Sequence, residues 1–473
     1  MNSMITTPDS DRPWFNQDLE CMRQEEREKM VLKKLRSLLK YVYNNSIYYH
    51  EVLKDIDLDS IDSLEDYSRK IPLTTKAIIR EEQSLYPPYG RLIASSIEDV
   101  AMVLASSGTT GKPTYIPFSR EDLDSIADAH ARIMWSFGVR PRMRIMIAAL
   151  FSLYAGSWGV YLGARLLGLG ILPIGAGVAG MTRQAIRVAL DWRPEILYGT
   201  PSYIMHFIET AREASVDMRG NFGFKIVFGS GEPGLSLPSV KKKIKDALGD
   251  HVRVIDTGSM VEAMPWMTNA ECVFENGMHL WQDIVYTELV DPGNGDLKSY
   301  GEEGVLTYTP LVRRLYPVIR YYSGDISMWI DDPCPCGRTY PRLPKGIYGR
   351  VDDMFIAKGV KLWPSTIQDI LLKSKYFGGE FRIVLTREKE VDTLRLLVEV
   401  SEEAWRDIER DRSNMDKISH ELRTLVRDSL GINTIVEIAP PGSLERATHK
   451  AKRIADEREI YKELERLRRG GSG

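Results

Sequence analysis

The chain has 473 residues, 43% hydrophobic and 27% charged, with 63 Lys plus Arg against 66 Asp plus Glu and a net charge of −3. This is the make-up of an ordinary globular protein of roughly two to four domains, with no global basic field to recruit nucleic acid. Four cysteines in this length cannot build a disulfide scaffold, and the opening MNSMITTPDSDRPW lacks a charged stretch followed by an apolar core, so we expect no signal peptide and a cytoplasmic protein.

The first hundred residues read as mainly helical. EEREKMVLKKLRSLLKYVYNNS carries apolar residues at helical spacing and ends in an Asn pair before Ser46. Next comes SSGTTGKPTYIPFS, Ser106 to Ser119, small and hydroxylated around two glycines with one lysine. It is not a Walker loop. Only Thr109 and Thr110 separate Gly108 from Gly111, and Lys112 is followed by Pro113, which has no N–H to open a helix in the Walker manner.

From about Val100 to Ile255, apolar runs (RIMIAAL, ILPIGAG, EILYGTPS, KIVFGSGE, VRVIDTGS) alternate with helical patterns (TRQAIRVALDW, SYIMHFIETAREAS, LPSVKKKIKDALG). Such alternation predicts a parallel sheet covered on both faces, with ligands gathered at the carboxyl ends of its strands. The uncharged stretch Ile145 to Ala164 is long enough to span a bilayer, but its glycines and flanking arginines fit a buried strand, a loop and a buried helix instead. From Gly277 to Ser327 the pattern turns to extended β segments, and after GRVDD (Gly349 to Asp353) a hairpin pattern and an amphipathic helix predict a separate α+β domain of about 120 residues. The expected fold is therefore α/β: a large N-terminal domain (1–348) with parallel αβ-layered sheets plus a β subdomain, and a small mobile α+β domain (349–473).

Three further motifs follow the Ser/Thr/Gly loop in a fixed order: YYSGDIS, GRVDDMFIAKGVKLWPS and ATHKAKRIAD. Together they resemble the adenylate-forming superfamily of acyl-CoA ligases, and most of all its phenylacetate–CoA ligase branch. The resemblance covers nearly the whole chain. It implies ATP, Mg²⁺ and coenzyme A, a homodimer, and two half-reactions: a carboxylate becomes an acyl-adenylate, and a thiol then takes the acyl group.

The residue types suit that chemistry. Ser107, Thr109, Thr110 and Lys112, with backbone N–H groups freed by Gly108 and Gly111, can follow the phosphates; no covalent nucleophile is needed because positioning and electrostatics supply catalysis. The resemblance implies that Asp325 holds the ribose, that Arg350 contacts ribose or phosphate, and that Gly231, Glu232, Pro233, Asp256 and Thr257 lie near the adenine. It makes Glu262 the Mg²⁺ candidate, although TGSMVE replaces the family's aromatic residue with Thr257 and adds a residue before Glu262. It places the adenylation lysine at Lys450, with Lys452 the rival register, the hinge at Asp352, and the loop that replaces the lysine in the second step at Gly359.

Cys334 and Cys336 in DPCPCGRTYPR, with Cys272 and His279 upstream, supply three thiolates and one imidazole, a donor set for a closed, structural Zn²⁺ in a β region at about 270–340. The family branch carries similar elements; Cys21 has no partner in this reading. Tyr154, Trp158, Tyr198, Met260, Pro265 and Trp266 are the candidate walls of the acid pocket, and an aromatic lining suits an aryl or arylacetic acid. The same adenylation residues would also serve an amide synthetase with an amine acceptor, or persist in a nucleotide-binding homologue without catalysis.

Overall fold

The computed structural model describes residues 8–106, 113–175, 181–357, 360–388, 391–444 and 453–456. The chain divides into two compact units, Met1–Ile347 and Tyr348–Gly473.

The first unit opens with helices. α1 (Gln17–Glu20) is followed by α2 (Gln24–Asn45), which buries Val31, Leu35, Leu38, Leu39 and Val42 at helical spacing. Ser46 ends α2 and caps α3 (Ile47–Leu53), accepting from the Tyr49 N–H; Ser63 and Thr75 cap α4 (Leu64–Lys70) and α5 (Lys76–Leu85) in the same way. These helices share an apolar core with the hairpin of β1 (Met102–Ser106) and β2 (Thr114–Phe118), through Ile79, Leu104, Ile116 and Phe118. α6 (Arg120–Ser136) starts on a complete capping box between Ser119 and Asp122.

The αβ alternation read from sequence is present. β3 (Arg144–Ile147), α7 (Ala155–Leu166), β4 (Gly170–Pro173), α8 (Met181–Trp192), β5 (Ile196–Gly199), α9 (Pro201–Glu213), α10 (Met218–Asn221), β6 (Ile226–Gly229), α11 (Pro238–Leu248) and β7 (Arg253–Gly258) follow one another. The strands pair in parallel in the order β4-β3-β5-β6-β7. The stretch 145–164 is indeed strand, loop and helix, and among the described residues no helix is long and apolar enough to cross a membrane.

The sheet does not stop at β7. It continues antiparallel through β8 (Asn269–Glu271) and β9 (Met278–Leu280), and later takes in β13 (Arg342–Leu343). The physical reason is length. The links from β7 to β8 and from β8 to β9 are shorter than the dozen or so residues a parallel crossover needs, so the chain reverses instead. A second sheet holds the antiparallel neighbours β10 (Val285–Val290), β11 (Glu303–Pro310) and β12 (Tyr321–Met328).

In the second unit, β14 (Gly349–Arg350) leads to the hairpin β15 (Phe355–Ala357) and β16 (Val360–Leu362) and to α12 (Pro364–Leu371). β17 (Phe377–Glu388) and β18 (Val391–Val400) form the expected hairpin, followed by α13 (Glu402–Arg410), α14 (Ser413–Leu430), β19 (Thr434–Ala439) and β20 (Ile454–Asp456). The sheet order is β19-β18-β17-β20, with both outer strands parallel to their neighbours. Ile367, Phe381, Leu396, Ile408 and Leu422 give this unit a core of its own.

Candidate active site

The loops that leave β3, β5 and β6, neighbours in the sheet, bring polar groups together at the carboxyl ends of those strands. Tyr154 is the residue before α7, Tyr198 ends β5 with Gly199, and Ser230 follows β6. Their hydroxyls meet: Tyr198 to Ser230 at 2.7 Å, Tyr154 to Ser230 at 3.1 Å and Tyr154 to Tyr198 at 3.4 Å. Ser230 was not singled out from the sequence, although it sits inside the FGSGEPG run. Glu232 accepts from the Ser202 N–H at 2.7 Å, in the first turn of α9, where a carboxylate suits the helix dipole.

Asp256 and Thr257, expected beside the nucleotide, each use a side-chain oxygen in hydrogen bonds within the protein. Asp256 Oδ2 accepts from Ser236 N at 2.8 Å and Ser236 Oγ at 2.6 Å, holding the turn that carries Gly231, Glu232 and Pro233. Burial, then the neighbouring Glu271, pushes the Asp256 carboxyl up to about 7. Thr257 Oγ1 donates to the Gly229 carbonyl at 2.9 Å, stitching β7 to β6, so it offers no stacking face.

Glu262 is 2% exposed, and its Oε1 accepts no hydrogen bond among the described residues. Lys76 Nζ lies 3.4 Å from that oxygen. Arg313, fully buried, donates to the Glu262 carbonyl at 3.0 Å and to the Pro117 carbonyl at 2.9 Å, with its guanidinium over the Phe118 ring. It thereby ties the strand leaving the Ser/Thr/Gly loop to the Glu262 segment. A buried carboxylate is a suitable ligand for a hard cation, and in this structure the Lys76 ammonium is paired with the same oxygen. Neither Lys76 nor Arg313 stood out in the sequence, since each sits in an unremarkable run, PLTTK and LVRRLYP.

Of the other proposed pocket residues, Trp158 stacks edge-on against Phe151 and donates to the Ser152 carbonyl. Met260 is half-buried between two core clusters. Pro265 is buried, and Trp266 is 4% exposed with its ring edge-on to Phe118 at 4.7 Å. Trp266 is thus a core residue here rather than an open wall, because its aromatic surface is already taken up by the β2 hairpin.

Asp325 lies within β12. Gly324 has φ +79, and the β11–β12 register shifts between Val305 and Thr307, so a bulge re-aims the strand at this point. The Asp325 N–H donates to Ser323 Oγ at 2.9 Å. In the second unit, Arg350 Nη2 lies 3.9 Å from the carboxylate of Asp352, whose side chain is 84% exposed. Ser107, Gly108, Thr109, Thr110, Gly111, Lys112, Gly359, Lys450 and Lys452 lie outside the described residues. At the end of the lysine motif, Arg453 donates to Gln368 at 2.6 Å and Glu380 at 3.0 Å, and β20 pairs with β17.

The antiparallel extension assembles the cysteines. β8 and β9 pair Ala270 with His279, which brings His279 beside Cys272, and the loop before β13 delivers Cys334 and Cys336. The ligand atoms of all four lie within 4.8 Å of one another, and all four residues are buried. Cys272 Sγ is 3.8 Å from Cys334 Sγ, and Cys336 Sγ is 3.4 Å from His279 Nε2. A tetrahedral zinc with ordinary bond lengths would hold its ligand atoms roughly 3.5–3.8 Å apart, so the donor set fits in both chemistry and span. Bonds from Cys272 and Cys334, with help from His279, hold the Cys336 thiol well below its ordinary value. Cys21 stays outside the cluster.

Comparison with known proteins places this geometry in context. Residues 359–458 match the family model described as AMP-binding enzyme C-terminal domain. The phenylacetate-coenzyme A ligase of Thermus thermophilus is 32% identical over 455 residues, covering 93% of this chain and 99% of the relative. That of Escherichia coli is 31% identical, covering 93% of this chain and 97% of the relative. Among solved structures, 2-hydroxyisobutyryl-CoA ligase in its postadenylation state is 39% identical, covers 99% of this chain and 98% of its own, and superimposes with a TM-score of 0.92. The same ligase in its thioesterification state, bound to its adenylate and CoA, gives 0.73. The chain therefore belongs to the phenylacetate–CoA ligase family and is an AMP-forming acid–CoA ligase, which builds an acyl-adenylate from ATP and a carboxylic acid and passes the acyl group to coenzyme A.

Proposed function

We propose that the acid is held at the carboxyl ends of β3, β5 and β6, against Tyr154 and Tyr198, while its carboxylate attacks the α-phosphate of ATP and pyrophosphate departs. The observation that carries this placement is the convergence of three loops there, next to the Glu232–Ser202 contact. Two tyrosines on the acid side and the names of the curated relatives support an aryl or arylacetic acid. A short branched acid is the second reading, favoured by the 39% identical ligase whose name specifies 2-hydroxyisobutyrate.

In this reading the loop of Ser107, Gly108, Thr109, Thr110, Gly111 and Lys112 follows the phosphates, Asp325 accepts from the ribose hydroxyls, and Arg350 adds positive charge nearby. Glu262 would hold Mg²⁺, which neutralises charge on the departing pyrophosphate. Lys450 serves adenylation, and the Gly359 loop replaces it while the CoA thiol attacks the acyl carbon and AMP leaves. The related ligase, captured in postadenylation and thioesterification states, supports two such stages. Cys272, His279, Cys334 and Cys336 would hold zinc, a structural ion that ties β8, β9 and the loop before β13 together. A homodimer and a cytoplasmic location complete the proposal.

The test is ATP–pyrophosphate exchange with a panel of arylacetic, benzoic and short branched acids, followed by AMP release with and without CoA. Exchange with aromatic acids and CoA-dependent AMP release support the first reading; exchange confined to short aliphatic acids selects the second.

A further inference from the structure

We propose that the Tyr154–Tyr198–Ser230 hydroxyl cluster is a specificity device, selecting acids with a hydroxyl group on the acyl portion over their unsubstituted counterparts. The inference rests on the placement of the acid given above and names the substrate class within it.

Three hydroxyls carry three protons and six acceptor lone pairs between them. The edges through Ser230, 2.7 and 3.1 Å, are ordinary or near-ordinary hydrogen bonds, but the Tyr154–Tyr198 edge of 3.4 Å is stretched beyond the usual O–H···O range. A fourth hydroxyl, which both donates and accepts, can bridge that edge. A hydrogen or methyl in its place cannot, and it would displace water from that edge without offering a hydrogen bond in return.

Two glycines give the phenols the room to sit in this arrangement. A Cβ on Gly156 would lie 2.4 Å from the Tyr198 hydroxyl and 2.6 Å from that of Tyr154, and one on Gly231 would lie 2.8 Å from the Tyr154 hydroxyl. Any side chain at either position would push the phenols apart. Tyr198 is fully buried against Phe228, which fixes its ring, whereas Tyr154 and Ser230 are half-buried and Gly231 is exposed, so the cluster is closed behind and open in front. Burial raises both phenols above their ordinary values, so each keeps its proton as a donor. A cluster that merely pinned the loop before α7 to β5 would need no such clearance both at the first turn of α7 and in the loop after β6.

A site built to hydrogen-bond a substrate hydroxyl can reject the analogue lacking it by several orders of magnitude. Here the three hydroxyls partly satisfy one another without substrate, so we expect about a tenfold to hundredfold preference.

The experiment measures kcat/KM for CoA-dependent AMP release with matched acids differing by one hydroxyl: propionate and lactate, isobutyrate and 3-hydroxyisobutyrate, phenylacetate and its α- and ring-hydroxylated forms. The expected result is at least one pair favouring the hydroxy acid about tenfold or more, with that ratio falling to within about threefold of unity in both Tyr198→Phe and Ser230→Ala. Reading the ratio inside each variant cancels any general loss of activity, and Ser230→Ala stands if the phenylalanine variant fails to fold. Preference for the unsubstituted acid in every active pair, or a hydroxy preference unchanged in both variants, overturns the inference while leaving the ligase intact. Exchange with no acid at all would instead overturn the placement on which it rests.

Discussion

Arg338 and Glu20 form an ion pair of 2.7 Å with side chains 1% and 0% exposed. The pair joins the residues just after Cys336 to the N-terminal segment, and neighbouring contacts follow the same seam. The Trp14 indole donates to the Cys336 carbonyl at 3.1 Å, Arg338 to the Pro13 carbonyl at 2.9 Å, and Arg27 to Thr339 Oγ1 at 2.8 Å. Burial pushes the Glu20 carboxyl up, with Arg338 pulling the other way. Removing one partner leaves a buried charge uncompensated, so Glu20→Gln should cost about 3–5 kcal/mol in urea denaturation. A loss under about 1 kcal/mol would show that the seam holds without the charge pair.

The metal prediction concerns the other side of that seam. Purified protein should contain about one zinc per chain, bound by Cys272, His279, Cys334 and Cys336. Cys336→Ser should lower both the metal content, read by elemental analysis, and the midpoint of thermal unfolding, because metal binding and folding are linked. Stoichiometric zinc in the double variant Cys334→Ser/Cys336→Ser would rule out this ligand set.

His130 gives a pH dependence. It is fully buried on α6, its Nδ1 against the Ile126 carbonyl at 3.0 Å, and burial lowers it to about 4, the Ile126 contact opposing. The unfolded chain takes up a proton near pH 6.5, while the folded protein refuses it until about pH 4. Stability from this group is therefore complete above about 6.5 and lost as pH falls toward 4, at most roughly 3 kcal/mol. Chemical denaturation at several pH values should show His130→Gln with a shallower acid-side slope than the parent; identical slopes would remove His130 from the account.

In the proposed mechanism Lys450 serves the adenylation step alone. Lys450→Ala should reduce acyl-adenylate formation from acid and ATP by roughly a hundred- to a thousandfold, the cost of losing a charged donor to the transition state. Supplied with preformed acyl-adenylate and CoA, the same variant should keep most of its thioester-forming rate. Asp352→Pro should do the opposite, because proline restricts φ at the proposed hinge. Equal losses in both steps for Lys450→Ala, with circular dichroism unchanged, would defeat the division of labour. Normal adenylation there, with loss in Lys452→Ala, would move the register by two residues.

Local order was legible in the chain itself. Strand–helix alternation, the β17–β18 hairpin and the capped helices follow from periodicities of two and 3.6 and from residues at element ends, information carried by near neighbours. The ordered motifs indicated the family, and residue chemistry nominated the four members of the Cys/His cluster. Tertiary structure alone decided which side chains meet. Arg313 reaches the Pro117 carbonyl across 196 residues, Lys76 reaches Glu262 from a different element, and Ser230 closes a hydroxyl cluster with two tyrosines from separate crossovers. It also drew Asp256, Thr257 and Trp266 into supporting contacts, and it paired β8 with β9 in the register that sets His279 beside Cys272. Such meetings depend on sheet order, register and link length acting together, and no window of sequence contains them.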